Sequence, residues 1–312
     1  MKKILEVRNL EKNFKDKKAL KGISFHIEAG EILCFLGPNG AGKSTTINIL
    51  ATALKSDKGE ILYEGEKISK NIKGFKKHLG IVPQDLAIYE NISAEENVKF
   101  FASLYGIKGE ALKKCTDRAL EFVGLTDRRK DKPGTFSGGM KRRLNIACAI
   151  AHNPRIIIMD EPTVGIDPQS RNHILASIKR LKKDGATIIY TTHYMEEVEE
   201  ISTRIIIIDH GEIIAEGTKE ELKEKLEEEK IYNVEVEEGL AINEDEFFKV
   251  EGVKKVKIDE KNIKITTLKG VENLDKLIGL IMDRSIKINN ISSSAASLET
   301  VFLNLTGRTL RD

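Results

Sequence analysis

A glycine-rich segment at residues 37–44 (GPNGAGKS) has the residue types and spacing of a phosphate-binding loop. It stands between an apolar run at residues 32–36 and a run with helical spacing at residues 43–53. Glycines let backbone N–H groups curl around phosphate oxygens, and the helix N-terminus adds partial positive charge. We therefore predict that Lys43 reaches the β- and γ-phosphates of a nucleotide and that Ser44 can bind Mg²⁺. A glycine-rich turn that matches by chance is the alternative.

Two adjacent carboxylates, Asp160 and Glu161, follow a second apolar run at residues 156–159. In open α/β folds ligands bind at the carboxyl ends of the strands, which is where these side chains are expected. Asp160 would hold Mg²⁺, usually through water, and Glu161 would orient or deprotonate an attacking water. Taken alone, both carboxylates are better explained as a solvated strand end. Beside a phosphate loop the functional interpretation is favoured.

A second anion-binding site is predicted at Ser137 and the two glycines after it, within the segment at residues 136–143 (FSGGMKRR). Apolar residues continue after it at helical spacing, so Ser137 is expected to cap the N-terminus of a helix. Two glycines after the cap leave bare N–H groups, which favour an anion. By itself such a segment is more often an ordinary helix start. It gains weight because the same chain already carries one phosphate-binding helix terminus.

Composition limits the class of protein. The chain has 312 residues, 40% of them apolar, and a formal net charge of +2, which gives no electrostatic case for binding nucleic acid. Its apolar runs are far shorter than the roughly 20 residues of a membrane span, and the first residues lack the apolar core of a signal peptide. Three cysteines show no paired spacing, so we expect a reducing cytoplasm without disulfides or zinc.

The order of the runs predicts two domains. Strand-like and helical runs alternate over residues 1–218, which favours a parallel sheet covered by helices. Residues 219–230 form a charged run that we interpret as a helical linker. Residues 231–312 follow a β-α-β-β-α-β order, including a turn at residues 259–262, and end in a short helix at 298–305. This second domain is predicted to be α+β and ferredoxin-like.

Together these motifs resemble the ATP-binding cassette (ABC) family over residues 1 to about 230. The resemblance implies an α/β P-loop NTPase fold with a helical signature subdomain, and ATP and Mg²⁺ as cofactors. It places Gln84 beside Mg²⁺ and the membrane partner, His193 beside the γ-phosphate, Phe14 against adenine, and residues 162–167 in a loop exchanged between subunits. The implied catalytic residues are Glu161, His193 and Gln84, and the implied metal ligands are Ser44, Gln84 and Asp160. The implied nucleotide-binding residues are Phe14, Gly37, Pro38, Asn39, Gly40, Ala41, Gly42, Lys43, Ser44, Thr45, Ser137, Gly138, Gly139 and Asp167.

Some positions depart from the common family pattern. Phe136 and Met140 replace Leu and Gln in the signature, Val164 and Ile166 replace Ser and Leu in the exchanged loop, and Phe14 replaces the commoner Tyr. None of these changes removes a phosphate contact, and stacking on adenine needs only an aromatic ring. A hydrolytic site is therefore expected.

Within the family, residues 136–144, 162–168 and 297–308 resemble the ATPases of ABC-2 type exporters. The resemblance implies a homodimer, or a pair with a paralogous cassette, that closes head to tail around two ATP molecules. It also implies a separate ABC-2 type membrane permease, contacted through residues 85–94, and a peripheral location on the inner face of the cell membrane. The second domain would stabilise the dimer or tune its closure.

Two other classes of function stay open. One is a soluble ABC ATPase that acts in assembly or translation without a membrane partner. The other is a different P-loop enzyme, such as a small-molecule kinase or a GTPase, although the guanine motif Asn-Lys-x-Asp is absent from the sequence. The transported compound has no signature in this chain, because the family's cargo contacts lie in the membrane partner.

Overall fold

The computed structural model describes residues 2–15, 17–226, 229–237, 242–259, 261–294 and 298–306. Parts of three predicted segments lie outside these residues: 227–228 of the linker, Glu260 of the turn, and Ser297, Gly307 and Arg308 of the C-terminal motif. The chain divides into two compact units between Lys219 and Glu220. Within the described residues, no helix is both long and apolar enough to cross a membrane.

The first unit consists of two sheets with helices around them. Its elements, in chain order, are β1 (Lys3–Phe14), β2 (Lys17–Glu28), β3 (Ile32–Leu36), α1 (Lys43–Leu50), β4 (Lys58–Tyr63), β5 (Glu66–Lys67), α2 (Ile72–Lys77), β6 (Leu79–Val82), α3 (Ala94–Leu104), α4 (Gly109–Phe122), α5 (Gly138–Ile150), β7 (Ile156–Asp160), α6 (Pro168–Lys183), β8 (Thr187–Thr191), α7 (Met195–Ile201), β9 (Arg204–Asp209) and β10 (Glu212–Gly217).

One sheet has the strand order β10-β9-β3-β8-β7-β6, and its strands are parallel except for the edge strand β10. Strands β3 and β8 are buried along their whole length, as the central strands of a parallel sheet covered on both faces must be. The predicted alternation of strands and helices around a parallel sheet is thus confirmed. The carboxyl ends of β3, β8, β7 and β6 lie along one edge.

A second, antiparallel sheet has the order β2-β1-β4-β5. Its apolar side chains share one core with α1 and with alternate residues of the parallel strands. Phe25 of β2 meets Phe35 of β3 edge to face, with ring centroids 5.1 Å apart. Because side chains alternate along a strand, Leu33 and Phe35 face this core while Cys34 faces the opposite side. This packing holds β3, and with it the phosphate loop, in place.

Helices α3, α4 and α5 pack against one another as a helical subdomain. Helix α3 begins with a capping box, in which Ser93 and Glu96 satisfy each other's backbone N–H groups. Arg129 ties the chain beyond α4 to α3 through an ion pair with Glu95 and to α4 itself through one with Asp117. The helical subdomain that the resemblance implied is present, with the signature motif at the beginning of α5.

The second unit is an antiparallel sheet with helices. Its sheet has the order β12-β13-β11-β14. A separate core joins Tyr232, Val234 and Ile265 of the sheet to Phe247 and Ile281. The predicted β-α-β-β-α-β order is present, while the ferredoxin-like assignment stays a prediction. The elements are α8 (Lys219–Leu226), β11 (Glu229–Val236), α9 (Glu244–Phe247), β12 (Val253–Asp259), β13 (Asn262–Leu268), α10 (Leu274–Met282), β14 (Ile288–Ser294) and α11 (Leu298–Thr306).

The charged segment at residues 219–230 differs from its prediction. Helix α8 ends at Leu226, whereas Glu229 and Lys230 pair with Leu268 and Thr267 in the sheet. The prediction of a single helix over residues 219–230 is therefore wrong. The spacing of charged residues is a local signal that predicts a helix. Residues 229–230 are extended instead, because the neighbouring strand β13 pairs with their backbone N–H and C=O groups.

Candidate functional site

The phosphate loop connects the buried strand β3 to helix α1. Gly42 is the N-cap of α1, with a φ of 115° that a side chain would strain, and it provides no side-chain cap for the N–H groups behind it. A Cβ at Gly37 would lie 2.3 Å from the carbonyl oxygen of Ile208, so only glycine fits there. Asn39 and Gly40 are exposed at the tip of the loop. The N-terminus of α1 is thus open to an anion.

Lys43 is buried under this loop. Its Nζ donates hydrogen bonds to the carbonyl oxygens of Gly37, at 2.5 Å, and of Pro38, at 3.2 Å. Burial lowers the pKa of the Lys43 ammonium below its ordinary value, while the carboxylates of Glu161 and Asp160 act in the opposite direction. The structure therefore brings the predicted lysine and both predicted carboxylates into one electrostatic environment.

Thr191, the last residue of β8, holds the two carboxylates in place. Its hydroxyl donates to Oδ1 of Asp160 at 2.5 Å and accepts the backbone N–H of Glu161 at 3.0 Å. The backbone oxygen of Thr191 accepts the same N–H at 3.1 Å, and the threonine is fully buried. Sequence reasoning missed this residue. Its place opposite Asp160 depends on the register of β7 and β8, which no local pattern in the sequence indicates.

Asp160 carries a charge that the protein compensates only in part. The pKa of its carboxyl group is raised, chiefly by burial and further by the charge of Glu161. The hydrogen bond from Thr191 and the charge of Lys43 lower this pKa, but they offset the rise only in part. A divalent cation beside Asp160 would relieve this. The exposed Ser44 hydroxyl and Gln84 amide add oxygen donors of the kind Mg²⁺ prefers, so these residues fit that metal.

Glu161 and His193 form a pair across the ends of β7 and β8. Nδ1 of His193 lies 3.3 Å from Oε2 of Glu161. Glu161 has a positive φ of 45°, which is rare for residues other than glycine and asparagine. Strained backbone of this kind persists where surrounding contacts enforce it, and the two bonds from Thr191 do so here. The pairing suits a carboxylate that must keep one orientation.

A buried network lies beneath the loop that carries His193. Oε2 of Glu197, on α7, accepts hydrogen bonds from the hydroxyls of Tyr190, at 2.8 Å, and Thr192, at 2.7 Å. The Thr192 hydroxyl also accepts the backbone N–H of Tyr194 at 3.0 Å, and the Tyr194 ring lies 4.3 Å from that of His193. Glu197 is completely buried. The network holds the backbone on both sides of His193, and no local pattern in the sequence indicates it.

The signature segment is arranged differently from the phosphate loop. Ser137 caps α5 by accepting the N–H of Met140 at 3.3 Å, as predicted, and Ser137 and Gly138 are exposed. A Cβ at Gly139 would lie 2.1 Å from Oγ of Ser170, with Asp167 next to it. The signature therefore lies beside the beginning of α6.

Asp167, Gln84 and Phe14 occupy three separate positions. Asp167 caps α6 by accepting the N–H of Ser170 at 2.9 Å, which lowers the pKa of its carboxyl group. Gln84 is exposed after β6, and its carbonyl oxygen accepts a hydrogen bond from Arg142. Phe14 ends β1 with 47% of its surface exposed, so part of its ring is accessible for stacking. Thr45, in the first turn of α1, is half-buried.

Comparison with known proteins identifies the family. The ABC transporter family profile matches residues 20–164. The linearmycin resistance ATP-binding protein of Bacillus subtilis is 45% identical, over 99% of this chain and 100% of its own length. The daunorubicin resistance ATP-binding protein DrrA3 of Streptomyces coeruleorubidus is 31% identical, over 97% and 96% of the two chains.

Solved structures agree with this comparison. A dimeric ATP-binding cassette in a post-hydrolysis state, bound to ADP and Pi, is 29% identical and superimposes with a TM-score of 0.63, covering 69% of this chain and 98% of that one. The first unit accordingly has the cassette fold. Because one relative is 45% identical over nearly the whole chain, this protein belongs to the ABC transporter family and is an ATP-binding ATPase within it.

Proposed function

We propose that this ATPase is the energy-coupling subunit of an exporter: two cassettes close head to tail around two ATP molecules and drive transport through a separate membrane permease. The observation that carries the proposal is the shared sheet edge. There the phosphate loop with Lys43 lies near Asp160, and Glu161 is paired with His193. This is the set of groups that an ATP-hydrolysing site needs.

Each group has a task that follows from its position. Lys43 and the open N-terminus of α1 bind the β- and γ-phosphates. Mg²⁺ held by Ser44, Asp160 and Gln84 would neutralise phosphate charge when bound. Glu161 orients the attacking water and accepts its proton, because its backbone is held by Thr191 and its carboxylate is paired with His193. His193 also contacts the γ-phosphate.

The proposal of a dimer rests on the signature segment at the beginning of α5. Ser137 and Gly138 are exposed at a helix N-terminus, and Gly139 lies against Ser170 and Asp167. An exposed anion-binding terminus placed beside α6 is well placed to receive the nucleotide of a second copy. We propose that each signature segment closes the ATP bound by the partner, with Asp167 in the exchanged loop. The dimeric relative bound to ADP and Pi supports this arrangement.

The membrane partner is proposed from an apolar surface. Between α3 and α5 lies a groove of about 290 Å³, the α3–α5 groove, lined by Ile81, Ala87, Phe101, Leu104, Cys148 and Ala149. Leu104 in this lining is 65% exposed and Tyr89 next to the groove is 51% exposed, and the Tyr89 and Phe100 rings meet edge to face at 5.1 Å. Such a patch on a monomer marks an interaction site. We propose that it receives a cytoplasmic helix of an ABC-2 type permease.

The cargo is proposed from the relatives alone. Two relatives that align along nearly the whole chain are named for resistance to linearmycin and to daunorubicin. We propose export of an antibiotic-like compound, chosen by the permease.

The test is to tag the chain in its own host, solubilise membranes gently in the presence of an ATP analogue, and identify what co-purifies. We expect a polytopic membrane protein in stoichiometric amount. Leu104→Lys should abolish its capture while leaving ATP binding intact, because Leu104 is mostly exposed and a cation suits a helix C-terminus.

Ile214→Lys is the matched control, since Ile214 is an exposed apolar residue on the edge strand β10, away from the groove. Capture of ribosomes or soluble proteins only would favour the soluble assembly factor instead. Equal capture by the Leu104→Lys variant would exclude the groove as the docking site.

A further inference from the structure

Arg142 lies one turn inside α5 and is buried, with 6% of its surface exposed. Its guanidinium donates two hydrogen bonds to consecutive backbone carbonyls: Nη1 to Pro83 at 3.0 Å and Nη2 to Gln84 at 2.8 Å. Nε of Arg142 has no hydrogen-bond partner among the described residues. The side chain thus reaches from the signature helix to the backbone of the predicted glutamine segment.

Burying a guanidinium is energetically unfavourable, because the charge loses its hydration. Burial lowers the pKa of Arg142, and the nearby carboxylate of Asp85 opposes that shift only in part. Apolar side chains of similar volume often replace buried charges without loss of stability. What a guanidinium adds is geometry, because its planar fork holds two acceptors at once in a fixed orientation. Its position therefore indicates a need to hold Pro83 and Gln84 relative to α5.

Two weaker contacts join the same two segments. Lys141 pairs with Glu90 at 2.5 Å, and the side-chain oxygen of Asn145 accepts the backbone N–H of Ala87 at 3.3 Å. Glu90 is more than half exposed, so its pair is screened by solvent. Arg142 and Asn145 are both buried, and Arg142 is the buried charge of the set and the one that contacts Gln84 itself.

The other end of the connection is the signature motif. Ser137 caps the same helix, so its position follows that of α5. Under the proposed function, Gln84 responds to ATP on its own phosphate loop, whereas Ser137 closes the ATP of the partner.

We propose that Arg142 is a positioning residue that links these two tasks: through its bonds to Pro83 and Gln84, nucleotide at one site sets the placement of the signature helix at the other. The proposal rests on the two-site dimer of the proposed function. Its consequence is that Arg142 carries the cooperativity of ATP hydrolysis and contributes little to binding by a single subunit.

Arg143 provides a matched control on the same helix. Its Nη1 donates to the carbonyl oxygens of Val123, at 2.9 Å, and Gly124, at 3.4 Å, at the end of α4. Removing that guanidinium loses bonds of the same kind without touching the glutamine segment.

The experiment compares the full-length wild type with Arg142→Gln, Arg142→Lys and Arg143→Gln. Affinity is measured with a fluorescent ATP analogue at protein concentrations that keep the chain monomeric, and ATPase rate is measured against ATP concentration. We expect Arg142→Gln to keep affinity within about twofold while the Hill coefficient falls from near 2 toward 1 and kcat falls about tenfold. Arg142→Lys should restore part of the cooperativity, since an ammonium can still donate to one carbonyl. Arg143→Gln should match the wild type.

The outcomes separate the two proposals. A wild type with a Hill coefficient near 1 contradicts the two-site dimer and the role of Arg142 together. A cooperative wild type with an equally cooperative, folded Arg142→Gln variant overturns the Arg142 proposal alone. If Arg142→Gln does not fold, the conservative Arg142→Lys variant decides, because undiminished cooperativity and rate in it would contradict a role for the two-pronged contact.

Discussion

The hydroxyl of Thr191 donates a hydrogen bond to Oδ1 of Asp160 at 2.5 Å and accepts the backbone N–H of Glu161 at 3.0 Å. One buried side chain on β8 therefore sets the positions of two carboxylates that end β7. This contact explains how two adjacent residues can have different tasks. The Thr191 hydroxyl bonds the carboxylate of Asp160 but only the backbone N–H of Glu161, which leaves the carboxylate of Glu161 to its pairing with His193.

Replacing Thr191 tests this arrangement. Thr191→Val keeps the shape but removes the hydroxyl, so Asp160 loses a donor and the Glu161 N–H loses one acceptor. We expect kcat to fall roughly tenfold or more, because small displacements of catalytic groups have large effects. The free energy of unfolding should fall by about 1–3 kcal/mol.

The matched control is Thr187→Val, at the opposite end of the same strand. Thr187 is equally buried, and its hydroxyl accepts the N–H of Gly30 at 3.0 Å. It should lose similar stability in urea unfolding and keep the wild-type kcat. Equal loss of kcat in both variants would mean that Thr191 acts only through stability.

Glu161→Gln should trap the ATP-bound dimer. The amide keeps the size of the side chain but cannot accept a proton from water, so hydrolysis should fall about 10²–10⁴-fold while ATP still binds. Light scattering is expected to show a dimer with ATP and a monomer without nucleotide. Glu196→Gln, at an exposed position on α7, is the control and should hydrolyse ATP normally. A Glu161→Gln chain that stays monomeric with ATP argues against head-to-tail closure.

Lys43→Met should separate stability from binding. Burial lowers the pKa of Lys43, so the unfolded chain binds more protons between the lowered value and the ordinary 10.5, and below that window the buried charge destabilises the nucleotide-free fold in full. We expect the variant without nucleotide to match the wild type or exceed its stability by up to ~1 kcal/mol in urea unfolding.

ATP should stabilise the wild type against unfolding but not the Lys43→Met variant. ATP at 100 times its Kd should stabilise the wild type by about 2.7 kcal/mol and leave Lys43→Met unchanged. A nucleotide-free Lys43→Met protein that is much less stable than the wild type would show that Lys43 is needed for the fold itself.

His152 predicts a loss of stability in mild acid. Burial lowers its pKa from 6.5 to about 4; its Nε2 lies 3.1 Å from the carbonyl oxygen of Leu79, and its ring stacks on Tyr105 at 3.5 Å. Because the folded-state pKa is the lower one, the unfolded chain binds more protons between pH 6.5 and 4, and stability falls as pH falls through that window.

We expect His152 to account for a loss of about 2 kcal/mol over this window, allowing for partial solvent screening. His152→Gln, whose amide can still donate to Leu79, should flatten the dependence when urea unfolding is repeated from pH 7 to pH 4.5. The exposed His173, changed to Gln, is the control and should leave the slope as in the wild type. An unchanged slope in His152→Gln would assign the acid sensitivity to other groups.

Truncation after Thr218 should leave nucleotide binding intact, because the first unit has its own core and its own phosphate loop. The expected affinity for ATP lies within about twofold of the full chain. The proposed role of the second unit predicts weaker ATP-dependent dimerisation of the truncated chain, measured by light scattering with Glu161→Gln in both chains. A folded truncation that no longer binds ATP would contradict this division of tasks.

Much of the site could be predicted from the sequence, because its main parts are local. The phosphate loop works through consecutive backbone N–H groups and one lysine, so residues 37–44 carry the signal themselves. Ser137 caps its own helix three residues on, again a local contact. The carboxylates were found because the end of a buried parallel strand is recognisable from its apolar run. The fold class followed from the same alternation of runs.

Contacts between distant residues needed the tertiary structure. Thr191 meets Asp160 only because β7 and β8 pair in one register, and Arg142 meets Gln84 only because α5 packs beside the end of β6. Glu197 is an ordinary acidic residue in the sequence, yet it is completely buried between Tyr190 and Thr192. The sequence by itself determined which local segments can bind phosphate and carry out hydrolysis. The tertiary structure decided which side chains hold them, since hydrogen bonds depend on the packing of segments that sequence order leaves far apart.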